Sequence, residues 1–294
     1  RAKMGIKSST TEALRKFYEK DNYALLREPN TLDDMITLAH FWEDVSNQDK
    51  DRFSQRILRL LFVLNYAPNG MWTYFVSVYF MQNKDDHGLL EEEEFFRFLN
   101  KTIGFIWTYA VTNPGVNALR TPVYAEMVNI VNNRPVTFDG FKFEPEKVQS
   151  MFSNFVFNNA RPITKSMLAW WAFQYDSQEL ISLETILEVE HIYARNRYEN
   201  DKSLSDVRNL EALGNKALLE KRINIRAADY RFADKIKYYQ GFTNSRNQQK
   251  EGTQNHELIL LSTADDFTEA DIVRRTEDIM SAFVAFLKDN DLTK

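Results

Sequence analysis

The chain has no cysteine among its 294 residues. Disulfides, cysteine nucleophiles and thiolate zinc sites are excluded, and the absence fits a cytoplasmic setting. Long apolar runs are missing too. The longest lie near residues 71–81 and 103–111, well short of the roughly 20 residues that span a bilayer, so no membrane partner is expected. The opening Arg1-Ala2-Lys3-Met4-Gly5 does not read as a signal peptide. It does not begin with Met either, and a fragment lacking an N-terminal part is expected. No repeat or low-complexity tract is evident. Overall positive charge is absent as well: the net charge is -5.

That charge is unevenly spread. From Arg195 to Lys250 there are 13 Lys+Arg against 7 Asp+Glu, a local +6, which leaves -11 for the rest. Such segregation hints at a polyanion partner better than the total does. Ordinary surface solvation explains it equally well. The length allows a large core in one or two domains, and 14% aromatics argue for a folded chain.

Residues 1–175 read as a helical domain. Apolar residues recur at helical spacing in 32–45. Residues 52–65 are apolar on most sides, as in a buried helix. Residues 71–82 are ambiguous, with helical neighbours. The acidic turn Glu91 to Glu94 suits a helix N-terminus; that helix runs on through 103–111 and stops before Asn113-Pro114-Gly115. Further helices are expected over 122–131, 144–157 and 164–174, with turns or a small hairpin at 132–140. His40 and His87 are isolated, and the Trp170-Trp171 pair reads as core. No activity is assigned to this half.

The pattern changes in a second domain, 176–294. Residues 186–192 are short, β-branched and partly alternating, which predicts a strand. Residues 193–210 are polar and irregular. Residues 212–219 read as a second strand with a bend at Gly214, and 222–239 as a helix. A polar loop over 241–255 precedes a short extended segment at 256–261. Residues 268–288 form a closing helix with Thr268 as N-cap.

Phosphodiester hydrolysis needs a base for water, a cation to neutralise developing charge and help for the leaving oxygen. Histidine suits the first task; carboxylate and amide oxygens suit Mg²⁺ or Mn²⁺. Glu190-His191, Asn215, Asn224 and Asp229 supply such a set. Adjacent residues on a straight strand face opposite ways, so Glu190 and His191 converge only if the strand ends or twists there. Glu188, on the face of Glu190, is a fallback ligand. A structural histidine satisfied on a strand is the competing reading.

Glu190-His191-Ile192, Leu213-Gly214-Asn215, Leu218-Leu219, Ile223-Asn224 and Phe232-Ala233-Asp234-Lys235 resemble, in order and spacing, the HNH (His-Me finger) nuclease domain at the C-terminal end of GmrSD-type modification-dependent restriction endonucleases. Phe267 to Ile272, with Arg274 or Arg275, resembles that family's closing segment. The resemblance implies a mainly α protein whose helical N-terminal region is followed by a small ββα-metal module and a closing helix. It also implies a metal-dependent DNA endonuclease of a restriction or phage-defence system. His191 then matches the general base, Glu190 the preceding metal ligand, and Asn215 the asparagine that braces the loop and orients the histidine. Asn224 or Asp229 matches the last metal ligand, for Mg²⁺ or Mn²⁺. Arg195, Arg197, Lys216, Lys221, Arg222, Arg226 and Lys235 are the candidates for DNA backbone contact. Two departures stand out: Ala194 replaces the family's usual proline, and the nucleotide-binding half marked by Asp-Gly-Gln-Gln-Arg is absent. A missing nucleotide-binding domain or subunit is therefore an expected partner. The rival expectations are a non-catalytic helical interaction or DNA-binding subunit with a degenerate finger, and an RNase using the same finger.

Overall fold

A computed structural model describes residues 1–2, 4–6, 12–115 and 117–294. The helical reading of 1–175 also covers 3, 7–11 and 116, which lie outside the described residues. The protein is mainly α. Among the described residues nine α-helices precede the first strand: α1 Leu14–Glu19, α2 Ala24–Arg27, α3 Thr31–Ser46, α4 Gln55–Asn65, α5 Met71–Asn83, α6 Glu92–Thr112, α7 Arg120–Val131, α8 Pro145–Ser153 and α9 Pro162–Ala172. The ambiguous aromatic segment is thus helical, as α5. Local chemistry fixes several starts. Glu91 accepts hydrogen bonds from the Glu93 and Glu94 backbone N–H groups at 3.1 and 2.6 Å, capping donors that the first turn leaves unpaired. Proline opens α8 and α9, where its fixed φ suits the first helical position.

The second part runs β1 Leu187–His191, α10 Arg195–Asp201, β2 Lys216–Glu220, α11 Lys221–Ala227 and α12 Phe232–Gln240. A two-residue hairpin follows, β3 Phe242–Thr243 with β4 Gln249–Lys250, then α13 His256–Leu261 and α14 Glu269–Asp289. Strands β1 and β2 are antiparallel, with Glu190 opposite Ala217 and His191 opposite Lys216. A capping box of Thr268 and Asp271 opens α14.

Three expectations are corrected here. Residues 256–261 are helix α13, not an extended segment; six residues with an apolar run fit either state by pattern alone. The single helix expected over 222–239 is two helices, broken at Ala228, whose φ of 45° and ψ of -146° cannot continue a helix. The irregular stretch 193–210 contains α10.

Among the described residues the buried apolar side chains form two hydrophobic clusters. The larger joins the helical region to Leu187, Val189 and Leu218 of the strands and to Ile279, Met280, Phe283 and Leu287 of α14. It therefore runs across position 175. Phe283 packs 5.8 Å from Trp107 and 6.3 Å from Trp170, centroid to centroid. The smaller cluster holds Ile192, Ala217, Leu219, Ile223, Phe232, Tyr239, Leu258 and Ile272. The β1–β2 ribbon lies between them, one face toward each, and so every side chain on it is committed to one side by the two-residue period.

Candidate functional site

That alternation decides the geometry. Strand β1 ends at His191, but its pairing stays regular up to that residue, so the alternation holds and keeps Glu190 and His191 on opposite faces. His191 faces the helical body, on the side of Leu187 and Val189. Glu188 and Glu190 face α11 and α12.

On the first side, His191 Nε2 lies 3.5 Å from Glu211 Oε1, too long for a useful hydrogen bond, and this buried nitrogen has no hydrogen-bond partner. Glu211 is also paired with Lys216, Nζ to Oε2 at 2.6 Å, and with Arg195. Lys216 is fully buried and donates further to the Phe157 carbonyl and, at 3.0 Å, to Asn159 Oδ1. Burial, reinforced by the charge on Lys216, lowers the His191 pKa to about 4; the imidazole is neutral at pH 7. Burial would raise the Glu211 carboxyl, but the bond and charge of Lys216, with His191 and Arg195, hold it below its ordinary value. Burial lowers Lys216 against the pull of Glu211.

On the second side, Glu190 is buried. Its Oε1 accepts from Lys235 Nζ at 2.7 Å and from the Tyr239 hydroxyl at 2.6 Å. Lys235 also donates to the His191 backbone carbonyl at 2.7 Å. Burial pushes the Glu190 carboxyl up despite the Lys235 charge, and burial beside Glu190 raises Tyr239 well above the ordinary phenol range. Asn224 Nδ2 donates to Glu188 Oε2 at 2.7 Å. Asp229 Oδ2 accepts the Asn196 backbone N–H at 2.8 Å, joining the start of α10 to the break between α11 and α12.

Asn215 holds the turn after β1. Its Oδ1 accepts the Tyr193 N–H at 2.7 Å, and its Nδ2 donates to the Tyr193 and Leu210 carbonyls at 3.1 Å each. It sits in a 3₁₀ turn, Leu213–Asn215, pressed on α14. A Cβ on Gly214 would lie 2.1 Å from the Ile272 carbonyl oxygen, so only glycine allows that approach. Arg275 Nη1 donates to the carbonyls of Leu213, Gly214 and Lys216, stitching the turn to α14. The Leu213-Gly214-Asn215 pattern is thus a docking turn. Ala194 keeps a φ of -69°, a value proline would share.

The residues expected to share one cation thus occupy separate polar clusters. Among the described residues no group of three or more His, Asp or Glu side chains could hold a metal ion. In this arrangement Glu190, Asn224 and Asp229 do not fit Mg²⁺ or Mn²⁺, which need several oxygens at one point. The backbone-contact expectation is corrected for two lysines: Lys216 and Lys235 are buried in ion pairs and offer phosphate no surface. Arg197 is held bidentately by Asp266, at 2.6 and 2.7 Å. Arg195 is half exposed though paired with Glu211. Lys221 is half exposed, 3.9 Å from Glu188. Arg222 and Arg226, with Lys250, line an open cleft of about 810 Å³.

Sequence reasoning missed Glu211, Tyr239 and Asn159. Tyr239 stands four residues after Lys235, one helical turn, so their shared face was a readable signal. Glu211 and Asn159 reach the site through tertiary contacts that no spacing announces.

Fold and site together define a mainly helical protein whose two-stranded ribbon, with α11 and α12 after it, is sealed by the last helix. Residues 144–282 match the family model of GmrSD restriction endonucleases, C-terminal domain, and the resemblance read from the motifs is thereby supported. The matched stretch takes in every element from α8 to α13, all four strands included, and most of α14. No curated protein and no solved structure matches the chain. Among the described residues no helix is long and apolar enough to cross a membrane.

Proposed function

We propose that this chain supplies the nuclease part of a restriction or phage-defence protein, cleaving DNA phosphodiester bonds in the cytoplasm. The observation that carries the reading is the match of residues 144–282 to the C-terminal domain of GmrSD restriction endonucleases. In this reading His191 withdraws the proton from the attacking water. The side chain suits that task in one respect: it is neutral at pH 7, and its unpartnered Nε2 has a lone pair or proton to exchange. Arg195, beside it, gives a phosphate a charge-assisted donor in exchange for Glu211. Arg222 and Arg226 contact the DNA backbone along their cleft, which adds affinity without sequence choice. Asn215 positions the turn that follows His191. Nucleotide hydrolysis and sensing of modified bases, which the resemblance implies, belong in this reading to another domain or subunit. No step is assigned to a divalent cation, because its expected ligands are engaged elsewhere.

The test is nicking of supercoiled plasmid. His191→Ala slows nicking by about 10²–10⁴-fold while its circular dichroism stays that of the wild type; undiminished nicking by the variant removes the assignment.

A second reading is favoured by one observation: the separation of Glu190, Asn224 and His191 into different clusters. It makes the chain a DNA- or protein-binding subunit with a degenerate finger. Retention of DNA in a gel-shift assay without any cleavage by the wild type selects it over the first.

A further inference from the structure

The resemblance implies a divalent cation on Glu190, and the structure disagrees. We propose that Lys235 is the module's built-in cation: its ammonium occupies the Glu190 carboxylate in place of Mg²⁺ or Mn²⁺, and the chain binds no divalent ion there. Lys235 Nζ bridges Glu190 Oε1 and the His191 carbonyl, each at 2.7 Å. Those are two oxygens of the kind a hard cation would take, and both come from the Glu190-His191 pair. The Tyr239 hydroxyl donates to the same carboxylate oxygen at 2.6 Å, so that oxygen already carries two donors. Lys235, Glu190 and Tyr239 are all buried. The lysine is delivered by α12, which is anchored by fully buried Phe232 and Tyr239, so its stem lies in the smaller core and cannot swing out without opening that core.

Charge makes the arrangement exclusive. Glu190 and Lys235 neutralise each other. A divalent ion added beside them would bury two positive charges with only the charge of Asp229, which is felt at Glu190, to offset them. An ion that displaced Lys235 would strand a buried ammonium instead. Stranding one partner of a buried ion pair costs enough to weaken ion binding by roughly 10²–10⁴-fold. The other candidate donors give little relief. The Asn224 amide is bonded to Glu188, and Asp229 holds the start of α10.

The inference goes beyond the nuclease reading and does not depend on it: a chain that cleaves DNA without an ion here and one that never cleaves would show the same binding. The experiment uses the full chain and the metal alone. The side-chain ¹⁵N resonance of Lys235 is followed through millimolar Mg²⁺, and Mn²⁺ uptake is measured by electron paramagnetic resonance for wild type and Glu190→Gln. The expected result is an unmoved Lys235 signal and equal Mn²⁺ uptake by both proteins. Displacement of the Lys235 signal by Mg²⁺, or a one-to-one Mn²⁺ site in the wild type that Glu190→Gln removes, overturns the proposal. Should Glu190→Gln fail to fold, the Lys235 resonance of the wild type decides alone.

Discussion

His191 is one residue from Glu190 in sequence and on the opposite side of the ribbon in space. The two side chains accordingly have opposite environments. Glu190 is pushed up by burial although a lysine touches it, and His191 is pushed down to about 4 by burial near Lys216. The histidine makes folding pH-dependent. Its folded pKa lies below the 6.5 of the free side chain, so the unfolded chain takes up the proton first as pH falls. Its contribution destabilises the fold from about pH 6.5 downward, reaching its full extent below about 4, and amounts at most to about 3 kcal/mol. Urea unfolding across this window should show a flatter stability profile for His191→Gln than for wild type; parallel profiles would contradict the assigned environment. The identities of these residues were legible in the sequence. The carboxylate beside His191 was not, because Glu211 arrives from the end of another 3₁₀ turn, Val207–Glu211.

The elements were largely legible. Helices α3 to α9 follow from apolar spacing, acidic first turns and prolines, and β1 from its short β-branched run. What failed were segments whose pattern suits two states. The run in α13 is too short for periodicity to discriminate, and the break at Ala228 follows from no proline or glycine. The bend expected at Gly214 is a 3₁₀ turn, and its cause is tertiary: α14 leaves no room for a Cβ. Gly214→Ala should therefore cost at least about 3 kcal/mol in urea unfolding, since backbone rather than a movable side chain lies in the way. A loss below about 1 kcal/mol would show that the turn and α14 separate easily. Because the same turn presents Asn215 to Tyr193, the variant also loosens the residues after His191.

At the scale of the molecule, the helical region and the module are joined by a buried polar knot, beside the bonds of Lys216 to Phe157 and Asn159. Glu257 of α13 accepts from Trp171 Nε1 at 2.7 Å and from Arg275 Nε and Nη2 at 2.7 Å each. Arg275 in turn holds two carbonyls of the turn before β2 and the carbonyl of Lys216, the strand's first residue. Glu257→Gln leaves the Arg275 charge uncompensated and buried, and should destabilise the whole fold by about 3–5 kcal/mol, lowering the thermal midpoint in a single transition. Two separate transitions in calorimetry would mean that the knot does not couple the two parts. No sequence pattern predicts this join, since its members lie as far apart as Trp171 and Arg275. The charge segregation, in contrast, was legible. In space much of that positive charge is spent internally, on Glu190, Glu211 and Asp266, which leaves Arg222, Arg226 and Lys250 as the cationic lining of the open cleft.

The most direct measurement is the initial rate of plasmid nicking by wild type and His191→Ala, followed from neutral pH down to the lowered pKa of His191, about 4. The wild-type rate should show no acidic limb near the ordinary histidine pKa of 6.5, and the variant should be slower by about 10²–10⁴-fold throughout. Equal rates for the two proteins would contradict it.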